Sequence, residues 1–435
     1  MQLIKQIKVS ENNRFLVHED GTPFFWLGDT TWELFHKLNR EEVDLYLTNR
    51  AERKFNVIQA VALAEFEGLT TDNAYGRRPL KLDEQGNYDP TQPDTDGEYH
   101  YWDHVDYIIE KAASLGLYIA FLPTWGDKYN KLWGQGPAVF TKENALAYGA
   151  WLGNRYKDCS NIIWVLGGDR PLQTSTHFDV NRSLAQGLLE SVANRHLITF
   201  HPPGGVSSTL HVHEEDWLDF NMIQSGHNGG VRTNYRHVTE DYLKDPTKPT
   251  LDGEPCYEDH PIDFKAANGY FDQADVRVAA YYAVFSGAFG HTYGHHSIWS
   301  MTTEPHDYFI MDWKDAILRP GATQMQHLRN LIEQHSFLDR VPDQSLIINN
   351  YEGANYMVAT RGANYAMIYS PNGIRFRAAM GKLAGEQVTA SWYDPRTGSY
   401  TDSFEVANTG EANFLPPTSG RGCDWVLVLE GQNNQ

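Results

Sequence analysis

The sequence predicts an α/β protein, a (β/α)₈ TIM barrel followed by a small antiparallel β-sandwich. Three observations carry this. Short apolar runs ending in polar or glycine-bearing loops alternate with helix-like stretches over roughly the first 300 residues. Near residues 339–343 the texture changes to short alternating segments separated by turns. A chain of 435 residues also exceeds one core of ordinary size, so a large unit with a smaller companion is expected. The barrel is placed at residues 1–338, including a short N-terminal β segment, and the sandwich at 339–435.

Eight apolar runs fit barrel strands, at residues 24–27, 57–61, 118–122, 162–166, 197–200, 222–224, 250–251 and 291–293. The last three are placed mainly by the regular order. Helices are expected at 40–54, 103–115, 142–156, 183–193 and 272–286, with a final one at 323–335. Strands joined by helical crossovers pair in parallel, and eight such units suit a closed barrel better than an open sheet. No Gly-x-Gly-x-x-Gly turn follows an early strand, so no dinucleotide site is signalled. Sandwich strands are expected at 345–349, 356–360, 365–369, 387–393, 399–404 and 425–429, with turns at 371–373 and 394–398. The polar stretch 83–97 is read as a loop long enough to help shape a site.

The formal net charge of −20 argues against nucleic acid or an anionic membrane surface as partner. An anionic substrate would need a local basic patch, for which Arg77, Arg78, Lys128, Lys131 and Arg232 lie in suitable loops. Cys159, Cys256 and Cys423 give no disulfide framework and no zinc spacing. No stretch reaches the length of a membrane span. Residues 1–10 lack the apolar core of a secretory leader, so the chain is expected to be cytoplasmic, or periplasmic or secreted had a leader been trimmed.

In a parallel barrel, reactive groups gather at the carboxyl ends of the strands. Here those ends lead into Asp29 and Trp32, Glu65, Trp125, Asp169, His201, His227, Glu254, and Tyr293 with His295. Asp169 and Glu254 end the fourth and seventh runs, and strand ends four and seven can bring two carboxylates to the spacing of about 5.5 Å that glycosidic cleavage with retention needs. Alternatively, each acid caps a helix or pairs with an arginine, such as Arg170 beside Asp169.

The strings Leu27-Gly28-Asp29-Thr30-Thr31-Trp32, Trp164-Val165-Leu166-Gly167-Gly168-Asp169, Asp252-Gly253-Glu254-Pro255 with Tyr257-Glu258, and Gly290-His291-Thr292-Tyr293-Gly294-His295-His296 resemble the apiosidase-like glycoside hydrolases, of the large retaining (β/α)₈ clan. The similarity extends to the turn Trp392-Tyr393-Asp394-Pro395-Arg396 in the second domain. The resemblance implies an acid/base at Asp169, a nucleophile at Glu254, no cofactor and no metal. It also implies a pectic oligosaccharide or polysaccharide substrate, with release of apiose from rhamnogalacturonan II side chains as its specific form. The wider clan usually presents Asn-Glu where this chain has Gly168-Asp169, and the shorter acid leaves the sugar's size and ring form open.

On this reading Asp169 should hold its proton and Glu254 should stay ionised. His227, Tyr293 and His295 are candidates to orient Glu254 or bind sugar hydroxyls, with structural roles as the alternative. Trp125, Trp133 and Trp299 are candidate stacking platforms or packed anchors, while Asp29 and Glu65 are candidate ligands of the terminal sugar, Asp29 alternatively a helix cap. Two other classes stay open. One is a metal-dependent barrel hydrolase using His211-Val212-His213 and His295-His296; the other is a carbohydrate-binding protein without catalysis. The sandwich is read as docking on and stabilising the barrel, with sugar binding as the alternative.

Overall fold

The computed structural model describes residues 4–190 and 196–431. Its centre is a sheet of eight parallel strands: Trp26–Thr30, Val57–Val61, Tyr118–Leu122, Ile162–Gly167, Ile198–His201, Asn221–Gln224, Thr250–Asp252 and Gly290–Tyr293. All eight are buried from end to end, as strands covered on both faces must be. The hydrogen-bonded ladder runs five, four, three, two, one, eight, seven, six, which is the cyclic order of a barrel interrupted once. At that seam the ladder is replaced by isolated bonds, among them one from the Ile198 N–H to the Asp219 carboxylate at 2.8 Å. The Asp219 N–H donates to the Ile198 carbonyl at 2.8 Å, and the Thr199 hydroxyl to the Phe220 carbonyl at 2.7 Å.

Helices Arg40–Glu52, Tyr101–Ser114, Lys142–Tyr156, Ser175–Glu190, Tyr235–Tyr242, Gln273–Phe285 and Pro320–Glu333 surround the sheet. Asn39, His100, Thr141 and Asp272 start four of them with capping boxes. The helix expected at 183–193 begins earlier, at Ser175, and residues 191–193 lie outside the described residues. The helix expected from 323 begins at Pro320, whose fixed φ suits a first helical turn. Tyr235–Tyr242 was not foreseen. The crossover from strand five to strand six holds no α-helix; it carries the short strand Val206–Ser207, antiparallel to strand six, and a 3-10 turn at Ser208–Leu210.

A three-stranded sheet, Ile7–Val9, Leu16–His18 and Pro23–Phe24, covers the amino ends of the barrel strands. There Phe24 packs edge-on to Tyr118 at 5.1 Å, and Ser160 donates to the Ile4 carbonyl. The stretch expected as a long loop at 83–97 is instead mostly a hairpin, Leu80–Leu82 with Tyr88–Pro93, packed against helix Lys142–Tyr156. Among the described residues no helix is long and apolar enough to cross a membrane.

From Val341 onward the chain forms two antiparallel sheets, one of seven strands and one of three, Ile347–Ile348, Phe376–Ala379 and Glu411–Phe414. Phe376, Trp392, Phe414 and Leu427 lie between them. The outer face of the larger sheet is not solvated. Val358, Met367, Tyr369, Tyr393, Val426 and Val428 join the barrel's own core. Tyr369 stacks on Tyr281 at 4.7 Å, and Arg277 meets Asp424 at 2.6 Å with both side chains buried.

Candidate active site

Glu254 follows the seventh strand and is 5% exposed. Gln59, from strand two, crosses the barrel interior to donate to the Gly253 carbonyl at 3.0 Å, and the Glu254 N–H donates to Ile223 at 3.2 Å. Backbone position is therefore set from two sides. His201 Nε2 lies 2.9 Å from Oε2 and His227 Nε2 3.1 Å from Oε1. An ionised carboxylate only accepts, so both rings donate. Burial alone would raise the carboxyl's pKa, but the bonds from His201 and then His227 outweigh it and hold Glu254 at about 2. His201 is itself fixed, wedged between Trp32 at 5.3 Å and Trp125 at 5.4 Å. His227 stacks on His260 at 4.0 Å.

Asp169 leaves strand four through an unusual backbone. Gly167, Gly168 and Asp169 have φ of +89°, +103° and +56° in succession. Glycine adopts this region freely, whereas aspartate held there marks a constrained position. A Cβ on Gly167 would lie 2.3 Å from the His201 carbonyl oxygen, so glycine lets strand four pass close to the end of strand five. Burial and then the negative charge of Glu254 push the Asp169 pKa up, against the pull of Arg170. The two acids thus sense each other across the barrel mouth.

Arg170, fully buried, sends one arm to Asp169 at 3.1 Å and the other to Glu65, and lies on the Trp133 ring at 4.3 Å. Burial outweighs Arg170 at Glu65 and lifts its pKa to about 7. A carboxyl whose pKa is raised thus stands with one whose pKa is lowered, an arrangement able to separate the roles of proton donor and anionic carboxylate.

A family model described as apiosidase-like, catalytic domain, matches residues 10–339. The chain belongs to the apiosidase-like glycoside hydrolases. Residues 341–430 match a model named for the collagen-binding domain of a collagenase. A family 5 glycoside hydrolase structure from Bacteroides vulgatus is 34% identical, with a TM-score of 0.89 over 98% of this chain and 93% of that one. A second structure, described as a glycoside hydrolase, is 35% identical, with a TM-score of 0.88 over 99% of this chain and 98% of its own. No curated protein sequence matches.

In this apiosidase-like chain the structure brings Trp32, Glu65, Trp125, His201 and His227 to the paired acids, and sets Trp299 at the mouth, partly buried, with its indole N–H on His296 at 3.2 Å. Three expected residues are elsewhere. Asp29 is wholly buried and accepts from Tyr46 at 2.6 Å and from Arg50, both on helix Arg40–Glu52, so it neither meets a sugar nor caps a helix. Tyr293 donates to Glu258 at 2.6 Å rather than to Glu254. His295 is buried against Asp259 at 3.0 Å.

Four of the five basic residues that lie where a patch could form are engaged by their own neighbours. Lys128 is buried on Asp127, Arg232 lies over Phe271, Arg77 bonds the Glu98 carbonyl and Arg78 pairs with Asp72. The histidines of the metal alternative do not converge. His211 packs on Phe178 and His213 bonds Asn221 at the amino end of strand six, while His295 lies past the carboxyl end of strand eight. Among the described residues no three His, Cys, Asp or Glu side chains gather as ion ligands.

The sequence includes Tyr257-Glu258 among the strings of the resemblance but gives them no role, and it does not show the bridging role of Arg170. Tyr257 is buried, and burial followed by the charge of Glu254 pushes its hydroxyl well above the ordinary tyrosine range. Glu258 accepts from Tyr293 and from the Gly321 N–H at the start of helix Pro320–Glu333. Both stand just past Glu254, in a loop that a scan of strand ends does not reach.

Proposed function

We propose that this glycoside hydrolase works by retaining double displacement on a terminal apiosyl residue of a pectic side chain, with residues 1–338 as the catalytic unit and 339–435 as a sandwich that stabilises it. The reading is supported above all by one observation: after burial, the charge of Glu254, itself kept ionised by two histidines, raises the pKa of the facing Asp169. A Glu254 oxygen attacks the anomeric carbon, the glycosidic C–O bond breaks, and the Asp169 proton goes to the leaving oxygen. Ester formation removes the charge on Glu254. Asp169 then becomes more acidic and, as a carboxylate, takes a proton from the water that opens the ester. The match of residues 10–339 to the apiosidase-like model favours apiose as the sugar.

The test is product analysis on apiose-bearing pectic oligosaccharides, with NMR of the first-formed anomer. Free apiose of retained configuration is expected, with activity lost in Asp169→Ala and Glu254→Ala. Inverted product would reject double displacement; undiminished turnover by either variant on an unactivated substrate would reject the residue assignment.

A further inference from the structure

The guanidinium of Arg170 bridges two carboxyls at the barrel mouth. Arg170 follows Asp169 on the way out of strand four, and its side chain is fully buried. One terminal nitrogen donates to Asp169 Oδ2 at 3.1 Å and to the Asp169 carbonyl at 3.0 Å. The other donates to Oε1 of Glu65, past the end of strand two.

The bridge is confined. The Trp133 ring covers the guanidinium at 4.3 Å. A Cβ on Gly134 would lie 2.6 Å from its Nη2, and one on Gly126 2.8 Å from the Arg170 Cβ and Cγ. The chain after strand three thus packs down on Arg170 along its length, and the two acids meet a charge that has no room to swing away.

The other charges nearby are matched among themselves. Lys128 holds both oxygens of Asp127, at 2.8 and 2.9 Å, and reaches only the backbone carbonyl of Glu65, at 2.6 Å. The Gly136 N–H also donates to Asp127. Glu33, after strand one, faces Lys128 and lies 3.2 Å from His36 Nδ1. Burial keeps the Tyr129 hydroxyl, which faces Arg170, protonated. From strands five and seven come His201 and Glu254, bonded to each other at 2.9 Å. Among the described residues that leaves one cation for two carboxyls.

Two acids that share one cation cannot both lose a proton as readily as either would alone. Ionised, Glu65 engages Arg170 and adds its own negative charge beside Asp169. Protonated, it leaves the guanidinium to Asp169. Burial lifts the Glu65 pKa to about 7 against the pull of Arg170, with Asp169 and Asp127 adding to the rise, so the exchange falls in the neutral range.

We propose that Glu65 is a positioning residue for the acid/base: by holding one arm of Arg170 it keeps that charge from drawing the proton off Asp169, and so extends proton donation to higher pH. This rests on the glycosidase reading and deepens it, adding a third carboxyl that acts on the scissile bond through Arg170 and Asp169.

Carbon-13 NMR of protein labelled at the aspartate carboxyls tests it, with the Asp169 signal assigned by its loss in Asp169→Asn. Glu65→Gln keeps an oxygen acceptor for Arg170 but removes the charge, and the Asp169 titration midpoint should fall by about one pH unit, about a tenfold gain in acidity. Glu65→Asp, which restores the charge, should reverse most of that fall. In an Arg170→Met background, Glu65→Gln should move the midpoint much less, because a buried Glu65 without its cation already keeps its proton. A midpoint unmoved or raised in Glu65→Gln, no recovery in Glu65→Asp, or an undiminished effect in the Arg170→Met background would each overturn the proposal. The titration reads the protein without substrate, so failure of the catalytic reading would show in product analysis and not here.

Discussion

His201→Phe isolates the device that keeps Glu254 ionised. The substituted ring keeps a flat apolar body between Trp32 and Trp125 but removes the N–H that lies 2.9 Å from Oε2. Glu254, held at about 2 against an ordinary 4.5, is favoured in its charged form by about 3 kcal/mol. A hydrogen bond to a charged group contributes about 1.5–3 kcal/mol, so losing one of the two should move the acid limb of kcat/KM up by about one to two pH units. Stability should follow the same group. A depressed carboxyl stabilises the fold above about pH 4.5 and stops doing so as pH falls toward about 2, so the variant's deficit in thermal melts should be full at pH 7 and shrink below pH 3. Rate profiles and melts across that range form the assay. An unmoved acid limb, or a stability deficit independent of pH, would refute the idea that His201 sets the charge state of Glu254.

Arg170→Met should shift the basic limb of kcat/KM to higher pH, because Arg170 comes first among the groups that draw the Asp169 pKa down, ahead of His201 and Trp133; a pH–rate profile checks it. Gly167→Ala places a Cβ 2.3 Å from the His201 carbonyl at a φ of +89° and should cost about 1–3 kcal/mol in urea unfolding, with activity falling at temperatures where the fold persists. Asp424→Ala leaves the buried Arg277 without its partner across the contact between sandwich and barrel, and a loss of about 3–5 kcal/mol is expected by the same measurement.

Strands two to five and most helices were legible because apolar runs and capping signals are local properties, whereas strand one, expected at 24–27, runs Trp26–Thr30, with Pro23–Phe24 belonging to the sheet at the amino ends. Strands six to eight are only three or four residues long, and their identity comes from neighbours rather than from their own pattern. Helix Tyr235–Tyr242 escaped notice for a related reason, since it buries only Tyr235, Val238 and Asp241. Two of the three errors in the site, Asp29 and Tyr293, have one physical origin. A strand end says where a residue sits but not which face of the pleat it occupies, and successive side chains point to opposite faces. In strand one Thr30 is bonded by Gln59 inside the barrel, so its neighbour Asp29 points outward to Tyr46 and Arg50. In strand eight Thr292 accepts from the Trp26 indole, and Tyr293 turns outward to Glu258. Only non-local partners fix that parity.

The interruption of the barrel ladder has a consequence for how this enzyme ages under heat. His201 closes one lip of that gap, and the other lip, strand six, leads directly to His227. Separation of the two lips would carry the imidazoles away from Glu254 while the remaining staves, and the sandwich behind them, stay assembled. Catalysis would then fade in a reversible pre-transition of its own, below the temperature at which the molecule melts, and amide exchange would be fastest in residues 198–201 and 221–224.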